Sequence, residues 1–219
     1  MTELQASWPG IAYVALLAYM LGSISGSLLL GKLRGVDIRT MGSGNAGGTN
    51  AFRTQGTRFA LLVVLVDIGK GVLAVLLAPW LVALWTSVDV QWGMAFAALS
   101  AVMGHIWPLY HRFRGGKGAA TAVGAVLAWQ PWFALPMFVT WLLVLIATGW
   151  VSAATLAAAL ALPLLHGLLG SASAAGFVAT VGLLCLVIWA HRSNIARLWR
   201  GDEYRFERAR LWHRRGQKD

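Results

Sequence analysis

Seven apolar runs decide what this chain can fold into. They cover residues 11–30, 59–85, 93–110, 119–129, 132–148, 152–169 and 174–190. Most approach the length that crosses a bilayer as a helix. In hydrocarbon every backbone N–H and C=O must be paired internally, which a helix does by itself. The short alternating segments of a membrane barrel are missing. The expectation is an all-α integral membrane protein, a bundle of seven transmembrane helices forming one domain over residues 1–219. Two runs are irregular. The fourth has eleven residues and rises only about 17 Å, so it is a half-helix or continues into the loop before it. Pro163 should kink or interrupt the sixth.

The positions of the charges orient the bundle. The formal net charge is +10, with 18 Lys and Arg. Five lie between Lys32 and Arg58, three between Arg112 and Lys117, and nine between Arg192 and Lys218. Only Lys70 falls inside an apolar run. Placing residues 31–58 in the cytoplasm puts 111–118, 149–151 and everything after His191 there too. The N-terminus, 86–92, 130–131 and 170–173 then lie outside, and none carries Lys or Arg. Seven crossings with the N-terminus outside satisfy the positive-inside rule throughout. An even number would place a basic segment outside. The N-terminal "MTELQASWPG" has no basic n-region, so the first run reads as a retained helix rather than a signal peptide. Cys185 is the one cysteine; it forms no internal disulfide and reads as a small buried hydrophobe. Residues 195–219 form a basic tail suited to solvent or to anionic lipid headgroups rather than to nucleic acid.

The polar clusters all fall on the expected cytoplasmic side: "MGSGNAGGTNAFRTQG", "HRFRGGKGAAT", "TGWVSAAT" and "AHRSNIARLWRG". Glycine lets a backbone turn its N–H groups toward an anion. "GGKG", Gly115 to Gly118, adds Lys117 and opens into an apolar run, and a helix start also favours anions. It is not a P-loop, because His111 stands where the first glycine is required and Gly118 follows the lysine. The first loop offers Ser43, Asn45, Thr49, Asn50 and Arg53, small hydrogen-bonding groups with one guanidinium suited to bidentate phosphate contact. "HRSN" sets His191 and Asn194 three apart, on one face if the seventh helix continues through them. Such a His can polarise a hydroxyl or a phosphate. Asp67 and Lys70 are also i, i+3 and lie inside the second run. Isolated charges there are expensive, so they should pair and support the site from below.

HExxH, CxxC, GxSxG and the His-x4-Asp of coenzyme-A-dependent glycerolipid acyltransferases are absent. The eight carboxylates form no evident metal cluster, which argues against metal catalysis. An anion transporter would need polar groups reachable from both sides near the midplane. Here they cluster on one side, as in an interfacial enzyme.

The ordered set "GSGNAGGTNAFRTQG", "DIGKG", "GHIWPLYHRFRGGKGAAT", "VSAAT" and "HRSNIARLWRG" resembles the bacterial acyl-phosphate:glycerol-3-phosphate acyltransferases, the PlsY family, over nearly the whole chain. The resemblance implies a seven-helix bundle in the bacterial inner membrane, N-terminus outside, with the active site facing the cytoplasm. It implies transfer of a long-chain acyl group from acyl phosphate to the 1-hydroxyl of sn-glycerol 3-phosphate, giving 1-acylglycerol 3-phosphate and inorganic phosphate. Neither acyl-CoA nor acyl carrier protein is the direct donor. No cofactor or metal is implied. The partners are the two substrates, membrane lipids and, functionally, the enzyme that makes acyl phosphate; nucleic acid is not among them. By motif position, Ser43, Arg53, Lys117, His191 and Asn194 become candidate catalytic residues. Gly115, Gly116, Gly118 and Ser152 become candidate substrate-binding residues and Glu203 a structural acid; Asn45, Thr49 and Asn50 join the substrate-binding set as polar groups of the first loop. Gly47–Gly48 departs mildly, since the family often has glycine then alanine there.

Overall fold

The computed structural model describes residues 2–169 and 173–206, with side chains from residue 9 onward. Its helices are α1 Thr2–Gly22, α2 Gly26–Leu33, α3 Gly48–Gln55, α4 Thr57–Trp85, α5 Val90–Ile106, α6 Ala119–Trp129, α7 Pro131–Thr148, α8 Val151–Leu169, α9 Ala174–Ala190 and α10 Arg192–Arg200. Short 3₁₀ turns occupy Ile38–Thr40 and Leu109–His111. No strand occurs among the described residues.

Five segments are long and apolar enough to cross a membrane: Pro9–Leu33, Thr57–Trp85, Val90–His111, Pro131–Thr148 and Val151–Leu169. Helices α9 and α10, bent by 59° at their junction, pass the same test only when taken together. Helix α6 is apolar but short. It begins at Ala119 and does not continue back into the glycine loop. Large apolar side chains such as Leu65, Trp80, Leu84, Trp132, Leu135 and Leu168 point outward, as a hydrocarbon surround requires.

Helix α4 is the hub, packing against α1, α5 and α6, while α9 bridges α5 and α8. Between α4 and α6 the backbones nearly touch. A Cβ on Gly71 would strike the Thr121 carbonyl, and one on Gly124 would strike the Ile68 carbonyl. Small residues at such crossings replace the hydrophobic drive that lipid removes.

Four expectations need correction. The first apolar run is two helices, broken at residues 23–25. The break exposes the Ile24 carbonyl and the Gly26 amide, which Lys70 Nζ and Asp67 Oδ1 engage at 2.7 Å and 3.1 Å. Helix α8 runs on through Pro163, so of the two outcomes expected there interruption is ruled out. Helix α9 stops at Ala190 instead of continuing through Asn194, because His191 turns the chain. Cys185 is exposed on α9 rather than buried. The part of the basic tail from 207 onward lies outside the described residues.

Candidate active site

The four polar segments meet at one end of the bundle. A cavity of about 460 Å³ is lined by residues of the 43–53 loop, the start of α6, the α7–α8 link, His191 with α10, and the 202–204 segment. Ser43, Asn45, Thr49, Asn50, Arg53, Lys117, Gly118, Ser152, His191 and Asn194 all line it. Gly115 and Gly116 instead line a second opening of about 340 Å³, which shares Lys117 with the first.

The first loop is tied together by Asn50. Its Nδ2 donates to the carbonyls of Ile38 and Met41, both at 3.0 Å, and its Oδ1 accepts the Ser43 amide at 2.9 Å. That buried amide therefore shapes the loop that presents Ser43. Arg39 joins this loop to the next one: it pairs with Asp37 at 2.7 Å and donates to the His111 and Arg114 carbonyls.

Gly115 and Gly116 act through closeness. Their N–H groups donate to the Ile106 and His105 carbonyls at 3.2 Å and 3.1 Å. A Cβ on Gly116 would strike the His105 ring and the Ala46 carbonyl. The amides that remain open are those of the first turn of α6, and the first turn of an α-helix always leaves such donors. Helix α3 also starts at the cavity, at Gly48. Two helix N-termini thus face one space, each favouring negative charge.

Three cations reinforce that field. Arg53 lies against the Tyr204 ring at 3.7 Å from the centroid. Its Nε is buried without a hydrogen-bond partner among the described residues, and burial pushes its basicity down. Lys117 Nζ donates to Asn194 Oδ1. Burial pushes the Lys117 ammonium down to about 8, with the Glu203 charge opposing the shift and Arg197 and Arg53 adding to it. Arg197 Nε donates to Glu203 Oε2 at 2.7 Å.

Glu203 is the anchor of this side. Its Oε1 accepts from Ser152 Oγ at 3.0 Å and from Asn194 Nδ2 at 2.7 Å. Burial raises its carboxyl, but these donors and Arg197 outweigh that and hold it below the usual range. His191 Nδ1 lies 2.8 Å from the Val187 carbonyl, so Nδ1 carries the proton and Nε2 keeps a lone pair. Residues after α10 close the wall: the Phe206 amide donates to the Gly149 carbonyl at 2.7 Å, and the Phe206 ring lies 5.9 Å from that of Phe52.

Sequence reasoning missed Arg197 and Tyr204. Arg197 had a legible signal, since 191, 194 and 197 form an i, i+3 series. Tyr204 reaches the site only because the chain folds back after Gly201.

A third cavity, of about 340 Å³, is lined almost wholly by apolar residues of α4, α6, α7, α8 and α9. A cationic chamber therefore borders an apolar cleft between helices, with Ala119, Ala120 and Thr155 lining both.

The glycerol-3-phosphate acyltransferase family profile matches residues 12–201. Glycerol-3-phosphate acyltransferases from Ralstonia pickettii and Aquifex aeolicus are 42% and 38% identical. Those alignments cover 87% and 89% of this chain, and 91% and 98% of the relatives. The crystal structure of the glycerol 3-phosphate form of PlsY (YgiH), an integral membrane glycerol 3-phosphate acyltransferase, superposes with a TM-score of 0.81. It is 36% identical, with 90% of this chain and 95% of that one covered. The lysophosphatidic acid form gives 0.79 at 35% identity, covering 89% and 94%. The chain therefore belongs to the glycerol-3-phosphate acyltransferase family.

Proposed function

We propose that this protein transfers a long-chain acyl group from acyl phosphate to the 1-hydroxyl of sn-glycerol 3-phosphate. The products are 1-acyl-sn-glycerol 3-phosphate and inorganic phosphate, the first acylation of bacterial phospholipid synthesis. The observation that carries the reading is that the cationic cavity and the apolar cleft lie side by side, sharing Ala119, Ala120 and Thr155 in their linings. Such an arrangement suits a reaction whose reactants are anionic at one end while one of them carries a lipid tail.

The chemistry asks for little covalent help. An acyl phosphate is a mixed anhydride with a good leaving group. The acceptor hydroxyl oxygen attacks the carbonyl carbon, the carbonyl–phosphate C–O bond breaks, and phosphate leaves. The hydroxyl proton passes to a phosphate oxygen or through Nε2 of His191, a residue that lines the cavity. The protein has to hold two phosphates close together and stabilise the developing charge. Arg53, with an unpartnered buried Nε, Lys117, Gly118 and the first-turn amides of α6 are suited to phosphate. Ser43, Asn45, Thr49, His191 and Asn194 orient the acceptor. Asn50, Ser152 and Glu203 keep that lining in place, and Gly115 and Gly116 shape the loop behind Lys117. The acyl chain lies in the apolar cleft.

The bundle makes seven crossings of the bacterial inner membrane, counting α1 with α2 as one and α6 as one. Its N-terminus lies outside and its active site faces the cytoplasm, which the one-sided Lys and Arg distribution supports. Residues 1–219 work as a single domain, with 195–219 as its basic cytoplasmic end. The donor comes from an enzyme that makes acyl phosphate.

The deciding experiment compares donors. Purified protein receives labelled glycerol 3-phosphate with palmitoyl phosphate, palmitoyl-CoA or palmitoyl-acyl carrier protein, without added metal. Lysophosphatidic acid should form from palmitoyl phosphate alone. Folded protein that is silent with palmitoyl phosphate, or equally active with palmitoyl-CoA, overturns the reading.

A further inference from the structure

Beneath the glycine-rich loop lies a polar cluster that the mechanism above does not use. Asp67, Lys70, His105 and Thr121 are all buried. Lys70 Nζ lies 2.7 Å from the Ile24 carbonyl, 3.0 Å from Asp67 Oδ1 and 2.8 Å from His105 Nδ1. An ammonium has three N–H donors and no lone pair. Its three partners use all three donors, so His105 Nδ1 has to accept. The imidazole proton is therefore on Nε2. Asp67 is fixed in turn by the Gly26 amide, and Thr121 Oγ1 lies 3.3 Å from Nδ1.

The Nε2 edge points away from this cluster. It stands against Gly116, close enough that a Cβ there would strike Nε2 itself. His105 and Asp67 both line the polar cavity, and Nε2 has no hydrogen-bond partner among the described residues. The buried pair thus fixes an N–H donor against Gly116, on a ring that lines the cationic chamber. Its oppositely directed counterpart is His191, where Nδ1 is the donor and Nε2 the acceptor.

We propose that His105 is a substrate-contacting donor, its Nε2–H hydrogen-bonding a phosphate oxygen of a bound substrate, with Lys70 and Asp67 as the positioning residues that set its tautomer. A neutral donor suits this place. It adds a hydrogen bond to a chamber that already holds several cations without adding another charge to repel them. The inference rests on the acyl-phosphate reading for the identity of the substrates, but the donor itself is tested with phosphate alone.

The test is 15N spectroscopy of the full-length protein labelled at histidine, in detergent, with the His105 signals assigned by their loss in His105→Gln. His105 should be protonated at Nε2, and that resonance should move on adding inorganic phosphate or glycerol 3-phosphate. Kinetics supplies a second readout. His105→Phe keeps a ring but no donor, and should raise the KM of one phosphate substrate about tenfold or more. His105→Gln places an amide N–H near the Nε2 position and should stay within about threefold. Whether the KM for palmitoyl phosphate or for glycerol 3-phosphate rises identifies which phosphate is held. A proton on Nδ1, an Nε2 signal unmoved by both probes, or equal kinetics for the two variants overturns the inference. If His105→Phe fails to fold, the wild-type spectrum decides. An Nε2 signal that responds to phosphate in a protein unable to use acyl phosphate would overturn the functional reading and leave this inference standing.

Discussion

Lys117 donates a hydrogen bond to Asn194 across 77 residues of chain. Asn194 passes the connection on to Glu203 through its Nδ2, at 2.7 Å. The glycine-rich loop, the helix after the bend and the returning segment are thereby held as one wall.

Removing either central cation should end turnover. Lys117→Ala and Arg53→Ala each delete a charge from a chamber that has to hold two phosphates, where such groups act with little screening. The expected loss is about a hundredfold or more in kcat/KM, with thermal unfolding close to the parent. Retained turnover in either folded variant would remove that residue from the machinery.

The alkaline side of the pH profile should report Lys117. Its ammonium loses a proton at about 8, and the charged form is the one that attracts phosphate. Binding is therefore complete below that pH and fades as pH rises through it. The kcat/KM profile of the free enzyme should bend downward near pH 8. A profile flat to pH 10 contradicts the assignment.

Glu203→Gln should move that bend. The Glu203 charge raises the Lys117 value, so its neutralisation lets Lys117 deprotonate at lower pH. The amide can keep only part of the network, since its one carbonyl oxygen accepts either from Arg197 or from Ser152 and Asn194, and its NH₂ accepts from none. The pH profile of this variant should bend below that of the parent, with lower activity at pH 7.5. An unshifted bend would show that the two groups do not interact.

Gly116→Ala should destabilise as well as inactivate. The added methyl meets the His105 ring and the Ala46 carbonyl, and overpacking of this kind costs about 1–3 kcal/mol. Thermal unfolding in detergent measures it. A parent-like midpoint with full activity would mean that the loop has room that its backbone contacts deny.

Ala159→Leu should change chain-length preference alone. Ala159 is buried in the apolar cleft and does not line the polar cavity. Filling the cleft should raise the KM for palmitoyl phosphate relative to a shorter acyl phosphate, with the KM for glycerol 3-phosphate unchanged. An equal effect on donors of every length would place the acyl chain elsewhere.

The amino-acid sequence by itself determined the helical class, the positions of most of the long apolar helices to within a few residues, and the clustering of polar motifs at one end of the bundle. These are local properties. A bilayer-length apolar run has one way to satisfy its backbone, and loop charge is read directly from composition. It also singled out Lys117, Arg53, His191 and Asn194, which line one cavity, and the Asp67–Lys70 pair, which is buried and bonded.

Only the tertiary structure decided how those groups are wired. The break at residues 23–25 places a carbonyl and an amide on Lys70 and Asp67; the Gly22–Ser27 stretch "GSISGS" carries a local break signal, but not what the freed groups would meet. The bend at His191, rather than a shared helix face, brings His191 and Asn194 to one cavity. Glu203 gathers Ser152, Asn194 and Arg197 from separate segments, and Tyr204 returns over Arg53. Each of these depends on which distant backbone atoms come within hydrogen-bonding reach, and that is settled by the packing of the whole bundle rather than by any window of sequence.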